Sequence, residues 1–116
     1  MSKEFEVYVE EYRRLEEVYK NLERTLKELK AEVKRIVPGA QIFLFGSVVR
    51  GKRVHGSDID VLIVVNQMGN LDVDGVKAAL RRRFLEIPLE IHITDSLTME
   101  KWYRRFIPQD ELIEVT

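Results

Sequence analysis

Two aspartates spaced one residue apart, Asp58 and Asp60, are the side chains in this sequence whose types and spacing most directly suggest chemistry. In a β-strand, residues i and i+2 project from the same face, so both carboxylates would point to one spot while Ile59 points into the core. Two carboxylates at that distance repel each other unless a cation lies between them. Oxygen-only ligation of this kind suits Mg²⁺ or Mn²⁺. The pattern therefore predicts a divalent metal site at the start of a strand.

Glu90 is the candidate for a third carboxylate. It lies in a run that alternates apolar and polar residues, which predicts a strand with Glu90 and His92 on the face assigned to Asp58 and Asp60. Such a triad could hold two metal ions that clamp the attacking and leaving oxygens of a phosphoryl transfer, with Glu90 orienting or deprotonating an incoming hydroxyl. His92 is interpreted as a strand-face residue rather than a metal ligand.

A glycine and serine follow the preceding apolar run and open a basic loop. Gly46 would allow close approach of the backbone to a phosphate, and the Ser47 hydroxyl could donate a hydrogen bond to it. Arg50 and Lys52 are suitably charged to neutralise a triphosphate tail. His55, in the same stretch, is interpreted as a loop residue. The loop predicts an anion site but not a Walker P-loop, because the Gly-Lys-Ser/Thr ending is absent.

The spacing of these residues resembles a known family. Gly46 and Ser47, then ten residues, then Asp58 and Asp60, are similar to the GS-x10-D-x-D signature of the polymerase-β-type nucleotidyltransferase superfamily, particularly its minimal (MNT) members. The similarity is densest around Gly46 to Asp60 and extends more loosely over residues 42–93. It implies a nucleotidyltransferase-like fold.

The resemblance also implies roles for individual residues. The Gly-Ser turn would bind the triphosphate, the paired aspartates would bind Mg²⁺, and Glu90 would stand for the third carboxylate, which in the family is more often aspartate. Arg50 occupies the place of a phosphate-contacting arginine. The implied activity is metal-dependent transfer of a nucleoside monophosphate from a nucleoside triphosphate, with ATP as the first candidate, to a hydroxyl on another molecule.

The acceptor is expected to lie on a partner, because the chain has no room for a second domain that would hold it. MNT relatives imply such a partner, since many are antitoxins that pair with a helical HEPN ribonuclease and nucleotidylate it on tyrosine. Nucleic acid is not expected as a direct ligand. The alternative is a catalytically weak or inactive binding module that acts by forming a complex through its long helix.

That helix is predicted from residue 5 to residue 37, a stretch without Gly or Pro that ends at Pro38-Gly39. Five consecutive heptads have apolar residues at both positions a and d: Phe5, Tyr8, Tyr12, Leu15, Tyr19, Leu22, Leu26, Leu29, Val33 and Ile36. Such a helix is about 50 Å long, longer than the roughly 35 Å of a domain of this size, so its first half should overhang or bend back. An exposed aromatic stripe there would require a partner helix. Acidic flanking positions disfavour a parallel homodimer and leave an antiparallel homodimer or a basic partner open.

The remaining chain predicts strands at residues 41–45, 58–65 and 89–93. A helix follows from Asp72 or Asp74 to Phe84, and another from Thr98 to Phe106. The expected fold is α/β (α+β), a small mixed sheet of three to four strands with helices packed on it. Two groups of side chains are assigned structural roles, Arg81, Arg82 and Arg83 as the solvated side of a helix, and Trp102, Tyr103 and Phe106 as core.

Length and composition place these elements in one domain. The 116 residues predict a single unit, with residues 1–37 as the helix and 40–116 as the sheet and catalytic core. The formal net charge of -1 argues against general polyanion binding, and the absence of cysteine excludes disulfides and thiolate metal sites. Without an apolar leader or a run of roughly 20 apolar residues, no membrane contact is expected and a cytoplasmic protein fits best.

Overall fold

A four-stranded mixed sheet forms the centre of the computed structural model, which describes residues 3–46, 48–49 and 58–116 and the side chains of its first helix only in part. The strands are β1 (Gln41–Phe45), β2 (Ile59–Val65), β3 (Leu89–Asp95) and β4 (Ile113–Glu114). Their order in the sheet is β3-β2-β1-β4. β1 is antiparallel to both β2 and β4, whereas β2 and β3 are parallel. The predicted fold class is confirmed.

The predicted N-terminal helix is present but consists of two helices rather than one, α1 (Lys3–Lys20) and α2 (Leu22–Ile36). The break lies at Asn21, which has φ -104° and ψ 19°. Its side-chain amide donates a hydrogen bond of 2.9 Å to the carbonyl oxygen of Glu17, which also accepts from the Asn21 backbone N–H at 3.1 Å. Asparagine commonly diverts helix carbonyls in this way. Because the Thr25 N–H still donates to the Asn21 carbonyl, α2 continues directly from α1.

One face of the sheet is covered by α2 and α3 (Val73–Arg83). Leu29 and Val33 of α2 and Leu80 of α3 are completely buried there, against alternate residues of β2. These β2 residues are Ile59, Val61, Ile63 and Val65. The start of α3 is capped by Asp72, which accepts a hydrogen bond of 3.0 Å from the Gly75 N–H. This packing fixes β2 through one of its faces. The residues between the buried ones, including Asp60, point to the opposite face of the sheet.

The opposite face is covered by residues 96–106, here called the C-terminal helical segment. It consists of α4 (Ser96–Thr98), a π-helix (Met99–Tyr103) and α5 (Arg104–Phe106). Met99 is buried against β1 and β2, and Tyr103 packs on the same cluster. Asp95 caps the segment by accepting a hydrogen bond of 2.7 Å from the Thr98 N–H.

The structure corrects the prediction that Trp102 and Phe106 are core residues. Trp102 is 58% exposed and Phe106 is 65% exposed, whereas Tyr103 is partly buried as expected. Helical spacing shows only that two residues share a face, not which face turns inward. Here Met99 and Tyr103, four residues apart, form the inner face, so Trp102 and Phe106 lie on the outer one.

The molecule is elongated, with principal extents of 53 × 29 × 21 Å and a radius of gyration of 15.5 Å. A compact chain of this length would have a radius of gyration of about 13 Å. Among the described elements, α1 has few contacts, and the most are with the adjoining α2. The expected overhang is therefore found. None of the described helices combines the length and apolar character that a bilayer crossing requires.

Candidate functional site

Asp60 and Glu90 lie directly opposite each other on the parallel strands β2 and β3. Residues paired across neighbouring strands project from the same face, so the two carboxylates stand side by side near the strand starts. Asp58 immediately precedes β2 and is exposed. Ile59, between the two aspartates, is completely buried on the other face. The buried isoleucine therefore fixes the direction of the Asp60 side chain.

His92 lies on the predicted face and beside Asp60, a contact that the sequence interpretation did not anticipate. Its Nε2 lies 3.7 Å from Asp60 Oδ1, and its ring lies 5.3 Å from the Phe45 ring, tilted by 58°. The alternation that placed His92 on this face was the available signal. It could not show contact with Asp60, because that contact depends on the pairing of β2 with β3.

The carboxyl of Asp60 has a pKa above its usual range. The main cause is partial burial, which disfavours the charged form. The negative charges of Glu90 and Asp58 raise the pKa further, whereas His92 lowers it. Both carboxylates are thus close enough to Asp60 to act on it electrostatically. A cation at this point would relieve that repulsion.

Gly46 follows β1 and lies against the carboxylate of Asp60. Its φ is 83°, in the left-handed region that side chains rarely adopt. A Cβ added to Gly46 would overlap Asp60 Oδ2 and lie 3.1 Å from Cγ. The backbone conformation therefore favours glycine at this position, and any side chain there would also displace the carboxylate of Asp60.

The donor set at this end of the sheet fits a hard divalent cation, since Asp58, Asp60 and Glu90 offer only carboxylate oxygens. Within the described residues, however, no three acidic, histidine or cysteine side chains converge closely enough to form a ready-made metal cage. The assignment of these three residues as metal ligands stays a prediction. Ser47, Arg50, Lys52 and His55, predicted to lie in the loop, are outside the described residues.

Comparison with known proteins identifies the family. The family model of the nucleotidyltransferase domain matches residues 26–115. The chain belongs to this family. The matched range starts inside α2, so α1 lies outside the nucleotidyltransferase domain as the family model defines it.

Solved structures agree with this membership. The crystal structure of a presumed nucleotidyltransferase is 32% identical, with a TM-score of 0.64 over 79% of this chain and 98% of that chain. Another, from Sulfolobus solfataricus and also a presumed nucleotidyltransferase, is 20% identical, with a TM-score of 0.60 over 87% of this chain and 85% of that chain. The latter similarity shows the fold alone. Among proteins with curated functions, none matches this chain.

Proposed function

We propose that this nucleotidyltransferase is a metal-dependent enzyme that transfers a nucleoside monophosphate from a nucleoside triphosphate to a hydroxyl on a partner protein in the cytoplasm. The observation that carries the proposal is that Gly46 lies against the carboxylate of Asp60 and that Glu90 pairs with Asp60 across two parallel strands. ATP is the first candidate donor. Pyrophosphate is the leaving group.

Asp58, Asp60 and Glu90 would hold Mg²⁺ or Mn²⁺, because carboxylate oxygens are the ligands that these ions prefer. When bound, the metal would neutralise negative charge on the phosphates and on the leaving oxygen. Glu90 is exposed, so its carboxylate is accessible to an incoming hydroxyl and can accept the proton.

The triphosphate would lie on the turn that starts at Gly46. Ser47, Arg50 and Lys52 are proposed to contact the phosphates, as the family resemblance implies. An arginine and a lysine two residues apart in sequence are well suited to a polyanionic tail.

The acceptor is proposed to be a tyrosine of a helical HEPN-type protein, in an MNT/HEPN toxin-antitoxin pair. Asp58 and Glu90 are both exposed, which leaves their side of the site open to a macromolecular acceptor. A cleft of about 310 Å³ near the C-terminus is lined by Arg104, Ile107, Gln109 and Leu112 and contains none of the site carboxylates, so it is not proposed as the acceptor site.

The proposal is tested by incubating the chain with the protein encoded by the neighbouring reading frame, Mg²⁺ and each of the four nucleoside triphosphates labelled at the α-phosphate. Transfer of label to the partner is expected with the unchanged chain and not with Asp60→Asn. Asp110→Asn, an exposed acidic residue outside the site, is the control and should transfer normally. The opposite outcome is that Asp60→Asn binds the partner and inhibits its activity as well as the unchanged chain does, without labelling it. That result would support the binding-module alternative and contradict the proposed catalytic function.

A further inference from the structure

The outer side of the C-terminal helical segment presents an apolar surface with no described element covering it. Leu97 is 62% exposed and lies on the same segment as the exposed Trp102 and Phe106. The Trp102 and Phe106 rings pack on each other, with centroids 4.5 Å apart. We call Leu97, Trp102 and Phe106, with the flanking Lys101 and Arg105, the aromatic surface. Large apolar side chains grouped in this way mark interaction sites.

The aromatic surface is positively charged. Arg104 forms an ion pair of 2.8 Å with Glu100. Lys101 and Arg105 are both exposed and make no ion pair with any described residue. An apolar partner that fits this surface should therefore carry acidic residues beside its apolar ones.

The first half of α1 has that composition. Residues 3–11 contain one lysine and four glutamates, a net charge of -3, and Glu4, Glu6 and Glu10 are exposed. Val7, between them, is 67% exposed. In the sequence, the heptad positions of this half are aromatic. α1 lies outside the range matched by the family model. Among the described elements its few contacts are mainly with α2, and it projects from the body of the elongated molecule.

The two features lie on opposite sides of one molecule. α2 covers one face of the sheet, and the C-terminal helical segment covers the other. α1 continues from α2 through the hydrogen bonds at Asn21, and among the described elements it has no substantial contact with the C-terminal helical segment of its own chain. The complementary surface that it can reach belongs to another molecule.

We propose that α1 of one copy packs on the aromatic surface of a second copy, and that the second copy returns the same contact. Each chain contributes one acidic helix and one basic aromatic surface, which gives a closed two-fold dimer. Acidic α1 thus meets a basic surface instead of another acidic helix. The proposal does not depend on the catalytic activity.

Two charge-reversed variants of the full chain test the pairing. In the first, Lys101→Glu and Arg105→Glu make the aromatic surface acidic; in the second, Glu6→Lys and Glu10→Lys make α1 basic. Each variant alone would bring like charges together in both contacts, so its dimer dissociation constant should rise at least tenfold. Mixed together, the two variants should form a heterodimer, because both of its contacts again pair opposite charges. Analytical ultracentrifugation over a range of concentrations measures all three.

Trp102 provides a second readout, because it is the only tryptophan in the chain. Its emission should move to shorter wavelength as concentration rises, since dimer formation removes the indole from water. Arg81→Glu with Arg82→Glu is the matched control, a reversal of two exposed arginines on α3 that should leave the dimer intact.

Three results would overturn the proposal. The unchanged chain could be a monomer at every concentration, which would assign the aromatic surface to a different protein. The first variant could dimerise normally, which would mean that α1 pairs with α1. The mixture could fail to form heterodimers while both variants show the unchanged chain's circular dichroism spectrum.

Discussion

Gly46 and Asp60 are in such close contact that a single methyl group on the glycine would overlap the carboxylate. The contact joins the end of β1 to the start of β2, where Phe45 pairs with Asp60. Gly39 has a similar positive φ, 89°, but nothing lies within 4 Å of the position that its Cβ would take. Gly39 and Gly46 thus share a positive φ, but of the two only Gly46 touches Asp60.

Replacing each of these glycines by alanine should separate backbone strain from displacement of Asp60. Both Gly46→Ala and Gly39→Ala should lower the free energy of unfolding by about 1 to 2 kcal/mol, the cost of a left-handed conformation with a Cβ. Only Gly46→Ala should also lower nucleotide transfer, by about 100-fold, because a shift of the order of 1 Å in a reacting group has that effect. Urea unfolding and transfer assays measure the two quantities. Equal activity in both variants would show that the contact has no functional role.

Glu90→Gln should lower the transfer rate by about 100-fold or more, which is typical when a group that moves a proton or holds a reacting centre is lost. Stability should change little, because Glu90 is exposed. Glu86→Gln is the control, since Glu86 is also exposed and lies four residues earlier in the chain. Normal turnover by Glu90→Gln would remove Glu90 from the proposed triad and direct the search for a third carboxylate elsewhere.

Leu29→Ala should cost about 2 to 5 kcal/mol of unfolding free energy, because Leu29 is completely buried between α2 and the sheet. Leu85→Ala makes the same chemical change at a side chain that is 81% exposed, so its effect should stay within about 0.5 kcal/mol. Urea midpoints of the two variants provide the comparison. Similar losses in both would contradict the packing of α2 described above.

Asp95→Ala should reveal a pH-dependent contribution to stability. The hydrogen bond from the Thr98 N–H holds the pKa of Asp95 below its usual range. A carboxyl whose pKa is lower in the folded state contributes stability above its unfolded pKa of about 3.9 and loses it as the pH falls through the folded value. The difference in unfolding free energy between the unchanged chain and Asp95→Ala should thus be constant from pH 5 to 8 and shrink below about pH 4. A difference that persists at pH 2 would disagree with this origin.

The strands could be predicted from the sequence because side chains alternate between the two faces of a strand, so a buried residue determines the face of its neighbours. In β3, the alternation around Glu90 determined which side chains share a face, and the buried neighbour Ile91 confirms it. The contact between His92 and Asp60 required more, namely the pairing of β2 with β3, which is set by packing across the sheet. Because β2 and β3 are parallel and connected through α3, no hairpin turn sets that register.

The helices were harder to predict in detail. The break at Asn21 involves one amide side chain that donates to the Glu17 carbonyl, in a stretch without Gly or Pro. The heptad pattern continues across Asn21 without interruption, so it gave no sign of the break. The exposure of Trp102 depends on which side of the C-terminal helical segment meets the sheet. A π-helix at Met99–Tyr103 also shifts the faces relative to the α-helical spacing assumed from the sequence.

Asp60 and Glu90 lie near the starts of β2 and β3, two strands that also contribute buried residues to the core of the domain. At the start of β2, stability and chemistry are therefore assigned to opposite faces of one strand, because Ile59 is buried in the core whereas Asp60 faces Glu90. Substitutions of the exposed residues at the strand starts can therefore alter the chemistry of the site while the buried residues keep the fold.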